Sequence, residues 1–187
     1  MKPWNILLAS QSPRRKQLLE MIDFKPVIIK VDVEEVFPAE LNLTEVPAYL
    51  SQLKAKFAEA TSENDLVITA DTVVILENEL LGKPKDLEDA HRMLQKLSGK
   101  THQVITGVTL KSTQKTITFS EVTKVTFQKL THSEIDYYLS KYQPMDKAGS
   151  YGIQEWIGGV GMKKIEGCFY NVMGLPTSRL FQELKEF

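Results

Sequence analysis

The sequence predicts an α/β fold around a strand buried on both faces, and three observations carry that prediction. Leu66-Val-Ile-Thr-Ala-Asp-Thr-Val-Val-Ile75 is a β-branched apolar run broken by a single carboxylate, the pattern of a strand in the middle of an α/β sheet. Ile6-Leu7-Leu8-Ala9 is a second apolar strand, followed at once by a turn and a helix start at Ser12-Pro13, with Leu18, Leu19 and Ile22 as the apolar spacing. His102 to Leu110, Lys115 to Phe119 and Val122 to Phe127 alternate polar and apolar residues about a turn at Ser112-Thr113-Gln114, as antiparallel strands do.

Composition bounds the rest. A chain of 187 residues with 42% hydrophobic content can build a real core, as one large domain or one domain with two lobes. A net charge of -1 offers no global attraction to nucleic acid or membrane, so any polyanion contact must come from a local cluster. The single cysteine, Cys168, excludes an internal disulfide framework and reads as a small buried thiol, and three scattered histidines give no zinc-binding spacing. No stretch has transmembrane length, and the N-terminus enters a strand directly, which reads as a cytoplasmic protein. No repeat, low-complexity tract or composition break marks a second domain.

In chain order, Ser12 is a suitable N-cap and Pro13 suits the first helical position. Arg14 and Arg15 then occupy the first turn, where the helix dipole disfavours cations, so their placement makes sense if an anion sits there with the Ser10 and Ser12 hydroxyls. Val27-Ile28-Ile29 is a further strand, leading to Asp32-Val33-Glu34-Glu35, which is either a solvated loop or part of a divalent-cation site. Thr44 is placed to cap a helix to about Ala60, with Pro47 in its first turn and Leu50, Leu53 and Phe57 as its apolar stripe. Lys54 lies about 40° from Leu50 on that helix, at the edge of the stripe, either snorkelling along the core or reaching towards Asp71.

A buried Asp71 requires a partner, because an unpaired buried charge costs several kcal/mol. It is either a turn-binding Asp at a strand end or one arm of a charged site, for which Gly82-Lys83-Pro84 offers a second cation on a tight turn. Asp86 opens a helix with Leu87, Ala90, Leu94 and Leu97 on one face, ending at Gly99. Thr131-x-x-Glu134 is a capping box before a helix through Tyr137, Tyr138 and Leu139. Asp146-Lys-Ala-Gly-Ser-Tyr-Gly-Ile-Gln154 alternates glycines with polar side chains and reads as an ordered turn or a ligand-binding segment, and Gly158 to Gly161 reads as flexible. A last amphipathic helix carries Leu180, Phe181, Leu184 and Phe187.

Seven blocks taken together, Ala9-Ser-Gln-Ser-Pro-Arg-Arg15, Lys54-Ala55, Ala70-Asp-Thr72, Gly82-Lys-Pro84, His102-x-x-x-Thr106-Gly107, Asp146 to Gln154 and Tyr170-Asn-Val-Met-Gly-Leu-Pro176, resemble the Maf family of nucleoside triphosphate pyrophosphatases over essentially the whole chain. The resemblance implies a mixed α/β fold: an elongated sheet flanked by helices, in one domain over residues 1–187, with two lobes around a cleft, similar to the inosine triphosphatase group. It implies that Ser10, Ser12, Arg14, Arg15, Lys54 and Lys83 bind phosphate and that Asp71 is the catalytic acid, taken as the base that activates water. Thr72 and Gln154, with Arg14, match the branch that prefers dTTP and UTP; a second branch prefers 7-methyl-GTP. Asp71 with Glu35 would hold Mg²⁺ or Mn²⁺ or accept a proton, a hard oxygen site in keeping with the lack of His or Cys ligands. Members are often dimers.

One departure stands out: Tyr142-Gln143-Pro144 replaces the family's usual Gly-Glu-Pro, removing a carboxylate. The expected reaction cuts a nucleoside triphosphate between its α and β phosphates. Its rivals are a pyrophosphatase for modified or purine nucleotides and a non-catalytic nucleotide-binding regulator of division; the near-neutral charge argues against DNA.

Overall fold

The computed structural model describes residues 2–187. In order, its elements are β1 (Asn5–Leu8), α1 (Pro13–Met21), β2 (Val27–Ile28), α2 (Val46–Lys56), β3 (Asp65–Leu76), β4 (Glu79–Leu81), α3 (Leu87–Leu97), β5 (Thr101–Lys111), β6 (Thr116–Phe127), α4 (His132–Tyr142), α5 (Trp156–Gly161), β7 (Met162–Glu166), α6 (Phe169–Met173) and α7 (Thr177–Glu186). The seven strands form one mixed sheet in the order β2-β1-β3-β5-β6-β7, with β4 paired to β3. β1 runs parallel to both β2 and β3, with Leu7 opposite Val27 and Val67, whereas β4 and β7 pair antiparallel to β3 and β6. The expected mixed α/β fold, its sheet flanked by helices, is thus present.

The chain forms two compact units. The first comprises the chain up to Thr72, Thr106–Glu121 and Gly174–Phe187; the second comprises Val73–Ile105 and Val122–Met173.

In the first unit, Leu8, Leu19, Leu66, Val67 and Ile68 are fully buried, as an apolar run covered on both faces requires. α2 lies directly on the β5 backbone: a Cβ on Gly107 would stand 2.3 Å from the Pro47 carbonyl carbon and from Ala48 N. Only glycine permits that approach. A ladder of hydroxyls fixes the helix along the same line. Ser51 Oγ is 2.9 Å from Thr109 Oγ1, and Thr69 donates to the Ser51 carbonyl at 2.6 Å. Leu180 and Leu184 of α7 are buried, while Trp4 meets Phe187 edge-on at 5.7 Å.

The second unit has its own core, in which Leu94, Leu97, Val104, Phe127, Ile135, Tyr138, Tyr151 and Ile157 pack together. Asp86 caps α3 by accepting the Asp89 N–H, and Thr131 with Glu134 forms the expected capping box on α4.

Several local expectations change. Thr44 does not cap α2: its N–H and hydroxyl both donate to Asn42 Oδ1, and the helix starts later, at Val46, with Pro47 at its second position. It ends at Lys56, because Lys111 Nζ takes the carbonyls of Ala55 and Ala58 at 2.8 and 2.7 Å; Phe57 is left 61% exposed. Ser12 stands at the α1 N-cap but makes no side-chain capping bond. Leu87 is exposed and Met93 takes its place in the α3 core face. β6 runs unbroken through Ser120-Glu121. Gly158 to Gly161 is helical, since a Gly158 Cβ would meet the Ile153 carbonyl oxygen at 1.8 Å and close packing demands glycine there. Cys168 is half-buried, beside Thr123, which bonds its backbone N–H and carbonyl.

Candidate active site

Asp71 lies on β3 within the first unit and is 8% exposed. Its partner is Lys54: Nζ donates to Asp71 Oδ1 at 2.7 Å and lies 2.7 Å from Glu35 Oε1. The helix delivers this lysine because its seat on Gly107 and the Ser51–Thr109 bond fix α2, and Lys111 ties down its C-terminal turn. Lys54 therefore reaches inward from the edge of the stripe, while Lys56 faces solvent.

Electrostatics at Asp71 are opposed. Burial raises its pKa, and the nearby charges of Lys54 and Arg15 and the Lys54 hydrogen bond lower it; Glu35 adds a smaller upward push. The net direction is upward from the ordinary carboxylate value. A carboxylate so placed is a stronger base than one in water.

Arg15, in the first turn of α1, is bonded on three sides. Nε donates to the Gly174 carbonyl at 2.8 Å, Nη1 to Ser10 Oγ at 3.2 Å and Nη2 to Thr72 Oγ1 at 3.1 Å. Thr72 Oγ1 is 2.9 Å from Thr106 Oγ1 on β5, and Ser10 Oγ also accepts the Ser12 N–H at 3.2 Å. Burial lowers the Arg15 pKa and the Asp71 charge raises it. Arg14 is half-buried and adds a second positive charge to the same turn, which carries no acidic residue.

Asp71, Glu35, Lys54, Arg15, Ser10 and Thr72 are thus joined by contacts and charge within one unit, with Ser12 and Arg14 beside them. Lys83 and Gln154 belong to the second unit, and both are exposed there. Gly82, next to Lys83, accepts the Gly149 N–H at 3.0 Å, which brings the lysine's turn against the segment that ends at Gln154. That segment is held from inside: the Tyr138 hydroxyl donates to Glu155 Oε2 and accepts the Gly152 N–H at 2.9 Å, and Lys147 Nζ is 3.2 Å from Glu155 Oε1. Gln143, where the departure occurs, is an exposed residue at the α4 C-cap with φ 43°.

Sequence reasoning assigned no task to Thr106, Gly107 or Gly174, although all three lie in the blocks quoted above. It passed over Lys111, Tyr138 and Glu155 as well, whose partners lie far along the chain.

For a metal, the donor set is two carboxylates, Asp71 and Glu35, drawn to one ammonium. Among the described residues no group of three or more His, Cys, Asp or Glu could hold a metal ion. Two carboxylate oxygens suit Mg²⁺, which takes one or two carboxylates and completes its shell with water and substrate phosphates.

Among the described residues no helix is long and apolar enough to cross a membrane. Residues 5–187 match the family described as Maf-like protein. Over 191 residues the chain is 50% identical to a protein of Porphyromonas gingivalis named dTTP/UTP pyrophosphatase, covering 100% of this chain and 96% of that one. A protein of Bacteroides thetaiotaomicron with the same name is 49% identical over 185 residues, covering 98% and 96% of the two chains. The solved structure of a HAM1 protein from Coxiella burnetii shares the fold at TM-score 0.57 and 14% identity, over 98% of this chain and 100% of that one.

Proposed function

The chain belongs to the Maf family, and from that premise we propose that it is a hydrolase that converts dTTP and UTP to the nucleoside monophosphate and pyrophosphate. The observation that carries the reading is a buried Asp71 paired with Lys54 and facing the charge of Arg15. Cleavage of an α–β phosphoanhydride builds charge on phosphate oxygens, so cations and a positioned water matter more than covalent chemistry.

Arg14, Arg15, Lys54 and Lys83, with the Ser10 and Ser12 hydroxyls, bind the triphosphate. Asp71 accepts the proton from the attacking water; burial strengthens it as a base, and Lys54 holds it in place. Asp71 and Glu35 would hold Mg²⁺ or Mn²⁺, which supplies positive charge to the phosphate oxygens when bound. Gln154, whose amide both donates and accepts, reads the edge of a pyrimidine, and Thr72 and Arg14 contribute to substrate choice. The reading places the enzyme in nucleotide-pool house-cleaning in the cytoplasm, in a family whose members are often dimers, and with no nucleic-acid partner, in keeping with a net charge of -1.

The test is pyrophosphate release from a panel of nucleoside triphosphates with Mg²⁺ or Mn²⁺, comparing the native chain with Asp71→Asn. Release from dTTP and UTP that collapses in the variant is the expected result. A folded protein that binds these nucleotides without releasing pyrophosphate would instead be a nucleotide-binding regulator, and preferential release from purine or modified nucleotides would reassign the substrate.

A further inference from the structure

The three acceptors on Arg15 come from three separate stretches of the first unit: Ser10 before α1, Thr72 on β3 and Gly174 before α7. None of them carries a charge. A guanidinium has five N–H donors, so three bonds leave one N–H on each terminal nitrogen. Each terminal nitrogen thus keeps a donor to offer a phosphate oxygen.

The anchors are themselves fixed. Gly174 has φ +116°, a conformation L side chains rarely adopt, and a Cβ there would stand 3.6 Å from Arg15 Nε and 3.7 Å from Thr72 Oγ1. Its carbonyl can reach the guanidinium because the residue is glycine. The Thr72 hydroxyl, accepting from Arg15, is also bonded to Thr106 on β5, so its direction is set from the strand beyond. Burial opposes the Arg15 charge while the nearby Asp71 carboxylate favours it, and the three neutral acceptors fix where that charge sits.

We propose that Thr72 and Gly174 are positioning residues that hold the Arg15 guanidinium in place in advance for a phosphate group. The proposal rests on the reading of Arg15 as a triphosphate ligand. Holding the guanidinium in advance removes the ordering cost that binding would otherwise carry, so losing either anchor weakens every ligand that has the phosphates, with or without a base.

Inorganic tripolyphosphate, which has no base, is the probe. Its affinity is measured by calorimetry on the native chain, Thr72→Val, Thr72→Ser, Gly174→Ala, Arg15→Lys and the double variant Thr72→Val/Arg15→Lys, with a thermal melt of each and kcat and KM for dTTP. Thr72→Val, which keeps the β-branched shape suited to a strand, should bind tripolyphosphate about tenfold more weakly, Thr72→Ser should regain most of the loss, and Gly174→Ala should show the same weakening. The double variant should be no weaker than Arg15→Lys alone, because nothing remains to be positioned. Unchanged tripolyphosphate affinity in Thr72→Val and Gly174→Ala beside a weakened Arg15→Lys would overturn the positioning role and leave Arg15 a ligand. An unaffected Arg15→Lys would overturn both. Additive losses in the double variant would place Thr72 on the ligand independently, and so also overturn the proposal.

Discussion

Lys54 Nζ stands 2.7 Å from Asp71 Oδ1, with both side chains nearly buried, and the same ammonium is 2.7 Å from the half-exposed Glu35. The pair sets the protonation of the base. Burial raises the Asp71 pKa and Lys54 is the largest force opposing it. A base works unprotonated, so kcat/KM for dTTP should climb with pH along an acid limb governed by Asp71, and Lys54→Met should move that limb to higher pH as well as lowering the maximum. Superimposable limbs in pH–rate profiles of the two proteins would remove Lys54 from this role.

The same shift has an opposite sign for stability. A carboxyl whose folded pKa lies above its unfolded value binds its proton more tightly in the folded chain, so its stabilising contribution is complete below the unfolded pKa and lost as pH rises through the folded one. Asp71→Asn carries no charge at any pH. Its melting temperature relative to the native chain should therefore improve as pH rises from about 4 towards neutrality, the range above the unfolded Asp value; a difference independent of pH would show that Asp71 does not titrate as its burial implies.

Gly107→Ala should be among the more damaging single-methyl changes available. Its Cβ would fall 2.3 Å from the α2 backbone at Pro47 and Ala48, where no flexible side chain can yield. The helix must move, at a cost of at least about 2 kcal/mol. Lys54 moves with it, so chemical denaturation should show the lost stability and turnover should fall together; a variant as stable and active as the native chain would refute the account of how α2 is seated.

Tyr138→Phe removes one oxygen that serves two partners, the buried Gly152 N–H and the part-buried Glu155 carboxylate. An unsatisfied buried donor and a carboxylate left with Lys147 should cost about 2–3 kcal/mol. Because Gln154 lies between those two partners, the dTTP-to-purine ratio of kcat/KM should fall as well. A stability loss with that ratio preserved would make Tyr138 a purely structural residue.

Gln154→Glu separates base choice from folding. The side chain is exposed within its unit, so the melting temperature should change little, whereas replacing an amide that donates and accepts with an acceptor-only carboxylate should lower kcat/KM for dTTP and UTP by about tenfold, one misplaced hydrogen bond. A substrate panel with unaltered preferences would dismiss Gln154 from recognition.

What was legible in the chain was local. The buried strand around Asp71, the helix opened by Ser12-Pro13, the Asp86 cap and the Thr131–Glu134 capping box follow from periodicity and from bonds spanning three or four residues. Misreadings were local competitions as well. Thr44 looks like a cap until Asn42 claims its donors, and Gly158 to Gly161 looks flexible until the Ile153 carbonyl leaves no room for a side chain.

The sequence by itself determined that a carboxylate would be buried in the central strand and that two arginines would occupy a helix start, because burial patterns and helix positions are properties of neighbours in the chain. Only the tertiary structure decided that Lys54 is the cation in contact with Asp71, that Thr72 and Gly174 grip Arg15, and that Tyr138 braces the segment bearing Gln154. Arg15 meets Gly174 across 159 positions and Thr72 across 57. No periodicity specifies such pairs; they arise where Gly107 lets a helix touch a strand and where a left-handed glycine turns its carbonyl towards a half-buried charge.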